Sequence, residues 1–340
     1  AIGCGPYKLV GYDVDSQTSY YEAVPENAFL GEITVDKVTV QTYADQASLM
    51  MALASGECDA YYNYANPIEA TLIDSFTGMD GLDMGESPFA GSYQMLFGCS
   101  RTPGDDVNFR QAIAYAINRS ELISSAYQNM ATVAYTPIPS GTWLSNESAI
   151  RDIYDPLMAA SLLDSAGYKL ADDGNRYKDG KKMEKLRILV YDEPGSTART
   201  NAANKIVDQL AAVGIPAYVA TWSRADVQTK LVSGDYSLAL CGLNFDVSPD
   251  PGFTLTSTAS CNYTRYRSND MNDLITQLRK SYTADSYQSA MRLIQDQFEQ
   301  DQPYICLYWR SAVLLSRETF TDVRDVRELE MLRGIENYGN

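Results

Sequence analysis

The residues best placed to do chemistry sit in one loop, Asn244-Phe-Asp-Val-Ser-Pro-Asp-Pro-Gly-Phe253, directly after the apolar run Ser237–Leu243. That run reads as a buried strand, and loops at the carboxyl ends of strands in α/β sheets are where ligands usually bind. An aromatic, Phe245, and a carboxylate, Asp246, flank a proline-stiffened turn beside Asn244. They could shape a pocket and pair with a cationic ligand group, or simply form an Asx/Pro turn. Downstream, Cys261-Asn-Tyr-Thr-Arg-Tyr-Arg267 supplies Asn262 and two guanidinium groups. Arg265 or Arg267 could grip a carboxylate or a chelate in bidentate fashion, or stay solvated. Trp222 ends a strand at a loop edge and Trp309 lies in a late apolar run, so each suits a cleft wall or a core.

The rest of the composition removes whole reaction classes. The chain contains no histidine, which excludes Ser-His-Asp and Cys-His catalysis and the common His-based zinc sites. Any metal would have to be held by carboxylates, thiolates or a chelator carried with it, and no cofactor is expected. Neither GxxxxGK[ST] nor GxGxxG occurs, and Asp172-Asp-Gly174 is too short for a calcium loop. Carboxylates are plentiful, but no spacing singles out a catalytic pair. The six cysteines, Cys4, Cys58, Cys99, Cys241, Cys261 and Cys306, show no CxxC spacing. Buried thiols are the expectation; Cys241 and Cys261 flank one loop and form the pair to test for a bridge. A net charge of -17 argues against nucleic acid, because no basic patch exists to neutralise phosphates.

Several elements must position these residues. With 340 residues and 45% hydrophobic content, the chain can bury the cores of two ordinary domains. Val38–Tyr43, a helix over Gln46–Ala54 and Ala60–Tyr62 read as a β-α-β unit. Val219–Trp222, Arg224–Val232 and Leu238–Leu240 echo it, and both helices end on Ser-Gly, where Gly can adopt the left-handed stop. Leu186–Tyr191 reads as a strand, Ala198–Val213 as a helix stopped by Gly214, and Asp173-Gly and Asp179-Gly as hairpin turns. Two more amphipathic helices are expected at Met271–Tyr282 and Ser286–Phe298, then strands at Tyr304–Trp309 and Val313–Leu315. Arg101-Thr-Pro-Gly104 punctuates a domain crossover.

Two helical cassettes follow that crossover. Val107-Asn-Phe-Arg-Gln-Ala-Ile-Ala-Tyr-Ala-Ile-Asn118 continues into Arg119-Ser-Glu-Leu-Ile123, with Asp105 and Asp106 where an N-cap belongs. Tyr154-Asp-Pro-Leu-Met-Ala-Ala-Ser-Leu-Leu-Asp-Ser-Ala-Gly-Tyr168 has Asp155 as cap, Pro156 at the first helical position and Gly167 as stop. By periodicity both are core helices. As strings they resemble the V-R-x-A-h-x-x-A-h-[ND]-[RK] and Y-[DN]-P-x-x-A-x-x-L-L-x-x-A-G-[YW] signatures of the family 5 extracellular solute-binding proteins. Gly3-Cys-Gly-Pro-Tyr7, Ser55-Gly-Glu-Cys-Asp59 and Asp250-Pro-Gly-Phe253 fall in that family's order.

The resemblance implies an α/β, two-lobed periplasmic-binding-protein-like (type II) fold that lacks its N-terminal part. Lobe I would comprise residues 1–100 completed by 305–340, and lobe II residues 101–304. It implies a receptor of an ABC importer that closes on a small ligand by hinge motion, without covalent chemistry. A short peptide is the first expectation and a nickel or other metal chelate the second; binding by the shortened chain is expected to be weak. The family's W-x-x-D-x-x-D-P-x-x-F region would make Asn244, Phe245 and Asp246 ligand contacts. Here Phe245 stands near the usual Trp, and Asp246 is one position off the Asp that meets a peptide α-amino group. Asn262, Arg265, Trp222 and Trp309 complete the expected site. Expected partners are the transporter's membrane subunits, the expected state is a monomer, and the expected location is the extracellular face of the membrane or the periplasm, with a lipid anchor on the missing part. A ligand-sensing domain of a transcriptional regulator is the alternative from another class.

Overall fold

A computed structural model describes residues 3–27, 32–62, 73, 75–76, 79–149, 153–193, 196–243 and 250–317. The chain divides into two compact units, Ala1–Ala90 with Ser311–Asn340, and Gly91–Arg310.

In the first unit, β1 (Tyr7–Asp13), β2 (Thr18–Ala23) and β3 (Lys37–Gln41) form an antiparallel sheet in that order. Leu9 lies opposite Tyr21, and Tyr21 opposite Val38, so one face carries an apolar row. Helix α1 (Gln46–Ser55) starts where the Asp45 side chain accepts from the Ser48 amide and stops at Gly56, φ +80°. Strand β4 (Ala60–Tyr62) pairs with Leu314–Ser316. The expected β-α-β unit over residues 38–62 is therefore not one unit: β3 and β4 belong to different sheets. Periodicity fixed each element, but strand partners are chosen by non-local contacts.

The second unit contains the carboxyl-terminal part of β5 (Leu82–Phe97) and is built around the central sheet. Helices α2 (Val107–Ala116) and α3 (Arg119–Tyr127) precede β6 (Ala131–Val133). The 107–123 cassette is thus two helices. Ile117 leaves helical geometry at ψ 113°, and the Asn118 side chain caps α3 by accepting from the Glu121 amide. Helix α4 (Pro156–Ser165) begins as its sequence indicates, with Asp155 accepting from the Leu157 and Met158 amides. The short strands β7 (Lys169–Leu170), β8 (Arg176–Lys178) and β9 (Lys181–Lys182) then form the two expected hairpins.

Strand β10 (Leu186–Tyr191), helix α5 (Ala198–Ala212), strand β11 (Ala217–Trp222), helix α6 (Arg224–Ser233) and strand β12 (Leu238–Leu243) follow as a wound α/β series. Helices α7 (Gly252–Leu255), α8 (Asn269–Arg279) and α9 (Ala284–Asp301) lead to β13 (Tyr304–Arg317), one long strand where two short ones were expected. Neighbour order is β11-β10-β12-β5-β13, with β6 beside β13. β10 runs parallel to β11 and β12, whereas β12 and β5 are antiparallel.

One face of this sheet presents Ile188, Val190, Leu240, Met95 and Phe97 to Phe109, Ile113, Leu163, Ile206 and Leu210 of α2, α4 and α5. Leu189, Ala239 and Leu96 alternate with them and are buried on the opposite face. Each such side chain contributes about 1.5–3 kcal/mol on burial. The cassette helices pack on each other, with the Phe109 and Tyr168 rings 5.7 Å apart and the Asp155 amide donating to the Tyr115 carbonyl. Their apolar stripes are spent on the core.

All six cysteines are thiols. The Cys241–Cys261 bridge is not formed: Cys241 is buried within β12 opposite Gln94, and Cys261 lies in the later loop. No helix among the described residues is long and apolar enough to cross a membrane.

Candidate functional site

The carboxyl ends of β10, β11 and β12 come together at Tyr191, Trp222 and Leu243, with Tyr191 directly beside Trp222. In a wound sheet this edge is where backbone turns away into loops and leaves room for a ligand. The Asp192 amide donates to the Trp222 carbonyl at 2.8 Å, so the two chains stay paired one step past the strands. Trp222 is 41% exposed, and the Lys230 ammonium sits 4.4 Å from its ring centroid while pairing with Asp235 at 2.9 Å.

Beside Tyr191, the first turn of α5 delivers Arg199 into a tyrosine cluster. Its guanidinium lies 3.5 Å from the Tyr191 ring centroid and 4.8 Å from that of Tyr93, and the residue is 2% exposed. Nη2 donates to the Tyr93 hydroxyl at 2.8 Å and to the Glu193 carboxylate at 3.2 Å. Nε and Nη1 have no hydrogen-bond partner. Behind Tyr93 lies Tyr308, stacked at 5.0 Å, and the Tyr308 and Tyr127 hydroxyls are bonded to each other at 2.8 Å.

Burial opposes the Arg199 charge, but the surrounding phenols and Glu193 more than restore it, so its pKa stays above the ordinary value. Burial pushes the Tyr191 phenol up to about 12 and the Tyr93 phenol upward as well. The edge therefore holds a fixed cation among neutral, amphipathic rings. Such rings and a fixed charge can hold a group laid against them by contact alone.

Of the expected site residues, Trp222 lies at this edge. Asn244, Phe245 and Asp246 lie outside the described residues. The structure does not bring the others there. The Arg265 Nη2 donates to the Ser233 carbonyl at 2.6 Å, at the carboxyl end of α6, whereas Trp222 precedes its amino end. Ten helical residues separate those ends by about 15 Å, although the Trp222 ring reaches back along α6 as far as Lys230.

Asn262 is a loop brace. Its amide donates to the Thr256 and Tyr266 carbonyls and its oxygen accepts from Thr264 and the Tyr266 amide. Arg265 and Arg267 border an open depression of about 700 Å³ with Asp105, Arg110 and Asp301, where the Arg110 donors are spent on backbone carbonyls. Trp309 is 2% exposed inside β13, opposite Thr132.

Sequence reasoning missed Arg199, Glu193, Tyr191 and Tyr93. The available signal was a charged residue in the first turn of a helix that directly follows a strand ending in Tyr-Asp-Glu.

The model of bacterial extracellular solute-binding proteins, family 5 (middle), matches residues 1–265, and the chain belongs to that family. It is 23% identical over 305 residues to heme-binding protein A of Haemophilus influenzae, covering 87% of this chain and 53% of that protein. It is 25% identical over 285 residues to the dipeptide-binding protein of Escherichia coli, covering 81% and 49%. The chain thus spans about half the length of these curated relatives.

Among solved structures it is similar to NikZ from Campylobacter jejuni in complex with Ni(L-His), with TM-score 0.77 and 19% identity, covering 99% of this chain and 68% of that one. It is also similar to the oligopeptide-binding protein AppA from Bacillus subtilis in complex with a nonapeptide, with TM-score 0.73 and 20% identity, covering 98% and 66%. These likenesses confirm the expected two-lobed, family 5 α/β fold class.

Proposed function

We propose that this chain is the ligand-holding part of an ABC importer's solute receptor and captures a short peptide without covalent chemistry. The observation that carries the reading is family membership across residues 1–265, a span that includes the whole carboxyl edge of the parallel strands. The dipeptide- and nonapeptide-binding relatives favour a peptide. Trp222, Tyr191 and Arg199 then present aromatic surface and a fixed charge, with Asn244, Phe245 and Asp246 as further ligand contacts. Such a receptor works outside the cytoplasm and delivers its ligand to the transporter's membrane subunits.

A nickel chelate is the second reading, favoured by the likeness to NikZ with Ni(L-His). Native mass spectrometry of this chain with a pool of peptides of two to five residues and with Ni(L-His) tests both. Retained peptides that are lost on Trp222→Ala support the first. Retention of the nickel complex alone would replace it with the second, and hydrolysis of the pool would sink both.

A further inference from the structure

The amino edge of the parallel strands carries a second concave site, remote from the edge described above. A cavity of about 200 Å³ opens between the starts of β10 and β12, the end of β5 and the turn Arg101–Gly104. Leu186, which opens β10, borders it, whereas Tyr191 closes that strand at the carboxyl edge. The two residues stand five strand steps, about 17 Å, apart.

The turn that walls the cavity is held close. The Arg101 amide donates to the Gly98 carbonyl at 3.0 Å, and the Asp105 amide to the Arg101 carbonyl at 3.0 Å. A Cβ on Gly104 would meet the Gly98 carbonyl oxygen at 2.7 Å, so only glycine permits this approach. The backbone beneath the Arg101 side chain is therefore fixed before any ligand arrives.

Three residues border the cavity with donors unspent. Among the described residues, the exposed Arg101 guanidinium has no hydrogen-bond or ion-pair partner, and neither has the half-buried Ser237 hydroxyl. Arg187 is the third. Its Nη2 donates to the Asp235 carbonyl at 2.7 Å and to the Asp235 carboxylate at 3.0 Å. Its Nε is buried without a partner, and its Nη1 is unburied and unbonded.

The carboxylates nearby are engaged. Asp235 meets Arg187 through Oδ1 and Lys230 through Oδ2, and Asp105 accepts from Thr102 at 3.0 Å. Three cations thus meet two carboxylates around this cavity, in a chain whose net charge is -17. Water can fill such a space, but two guanidiniums favour an anion, since charge-assisted hydrogen bonds are about twice as strong as neutral ones. At about 30 Å³ per water the cavity holds roughly seven, which is room for a small polyatomic anion.

We infer that this cavity is a second ligand site, taking a small dianion of phosphate or malonate size between Arg101 and Arg187, with Ser237 donating to one of its oxygens. The site stands apart from the peptide or chelate reading and does not depend on it.

Isothermal titration of the whole 340-residue chain with phosphate, malonate and chloride at constant ionic strength tests the inference. Phosphate or malonate should bind saturably at millimolar concentration or below, and chloride should not. The tighter of the two assigns the source as a phosphorus oxoanion or a dicarboxylate. Arg101→Ala, a change at an exposed side chain whose fold circular dichroism can check, should weaken binding about 10- to 100-fold, the value of one hydrogen bond to a charged group. Ser237→Ala should weaken it about 2- to 10-fold, and Trp222→Ala should leave it unchanged.

No saturable binding of either dianion overturns the inference, as does binding that chloride reproduces or that Arg101→Ala leaves intact. An equal loss in Trp222→Ala overturns it too, because the anion would then sit at the carboxyl edge. None of these results touches the receptor reading, which the peptide and Ni(L-His) retention experiment decides.

Discussion

Helices α1 and α6 end on the same dipeptide, Ser55-Gly56 in the first unit and Ser233-Gly234 in the second. Both glycines are left-handed, at φ +80° and +72°, and both amides fold back onto the leucine three residues earlier. Each stop is also covered by an arginine. Arg317 Nη1 donates to the Leu53 carbonyl at 3.2 Å, and Arg265 Nη2 to the Ser233 carbonyl at 2.6 Å. Cations are favoured there because the last carbonyls are unpaired and the helix dipole is negative at that end. Beyond the stops the likeness ends. α6 joins two strands of one sheet, whereas α1 joins strands of different sheets. A local motif sets where a helix stops and what covers it, but not which sheet receives the next strand.

The largest expected effect probes how far each stop supports its unit. Leu53 and Leu231 are both buried in the last turn, so Leu→Ala should cost about 2–5 kcal/mol at either position. All three tryptophans, Trp143, Trp222 and Trp309, belong to the second unit. Leu231→Ala should therefore lower the urea midpoint by tryptophan fluorescence and by circular dichroism alike. Leu53→Ala should lower the midpoint by circular dichroism and move the fluorescence less. Identical shifts in both probes for both variants would show that the two units unfold as one.

The same contrast explains what was legible in the sequence. Caps and stops involve neighbours a few residues apart, so Asp106, Asp155, Pro156, Gly167 and Gly214 could be read directly, and the helices and strands around them fell nearly where expected. The single-helix reading of 107–123 missed that Asn118 could serve as an internal N-cap. The site was less legible. Arg265 looked like a ligand residue because a guanidinium near a cleft motif suits a carboxylate, yet its partners are carbonyls more than thirty residues upstream. Arg199 gave only the signal of a charge in a helix's first turn, because its meaning depends on Tyr93, 106 residues away in sequence. The place of Trp222 at a strand end was readable because a strand end is a local property.

Glycine substitutions come next in size. Alanine at either stop must hold a left-handed conformation, costing about 1–2 kcal/mol. At Gly234 the added methyl would also meet the Arg265 guanidinium at 2.8 Å, against 3.3 Å from Arg317 at Gly56. Gly234→Ala should therefore lower the thermal midpoint more than Gly56→Ala, and Arg265→Ala combined with Gly234→Ala should recover part of the difference. Equal losses, with no recovery, would mean that the guanidinium moves aside freely.

Thiols extend the comparison to pH. Cys58 lies just past the first stop, half-buried, its thiol raised by burial and by the Asp59 and Glu57 carboxylates. Cys241 lies in the strand past the second, and burial pushes it up to about 12. In the unfolded chain both ionise near pH 8.5, so above that pH the unfolded state releases protons that the folded state retains. Stability should fall as pH rises, by up to about 1.4 kcal/mol per pH unit for Cys241. Cys241→Ala should flatten the measured slope just above about pH 8.5 more than Cys58→Ala does. A maleimide should label Cys58 in the folded protein well before Cys241.

The smallest effect bears most directly on function. Removing either covering arginine should cost only about 0.3–1 kcal/mol, since a helix-end cation at the surface is screened by water and salt. The more informative readout for Arg265→Ala is ligand binding. If Arg265 belongs to the helix stop, the variant should lose a little thermal stability and keep the ligand affinity of the unchanged protein. If Arg265 meets the ligand, affinity should fall by far more than that stability change. Trp222 directly precedes the amino end of α6, whereas Arg265 sits at the end of α6 that leads back into β12. Loss of binding in Trp222→Ala but not in Arg265→Ala would place recognition at the carboxyl edge, and the reverse would return it to the loop around Asn262.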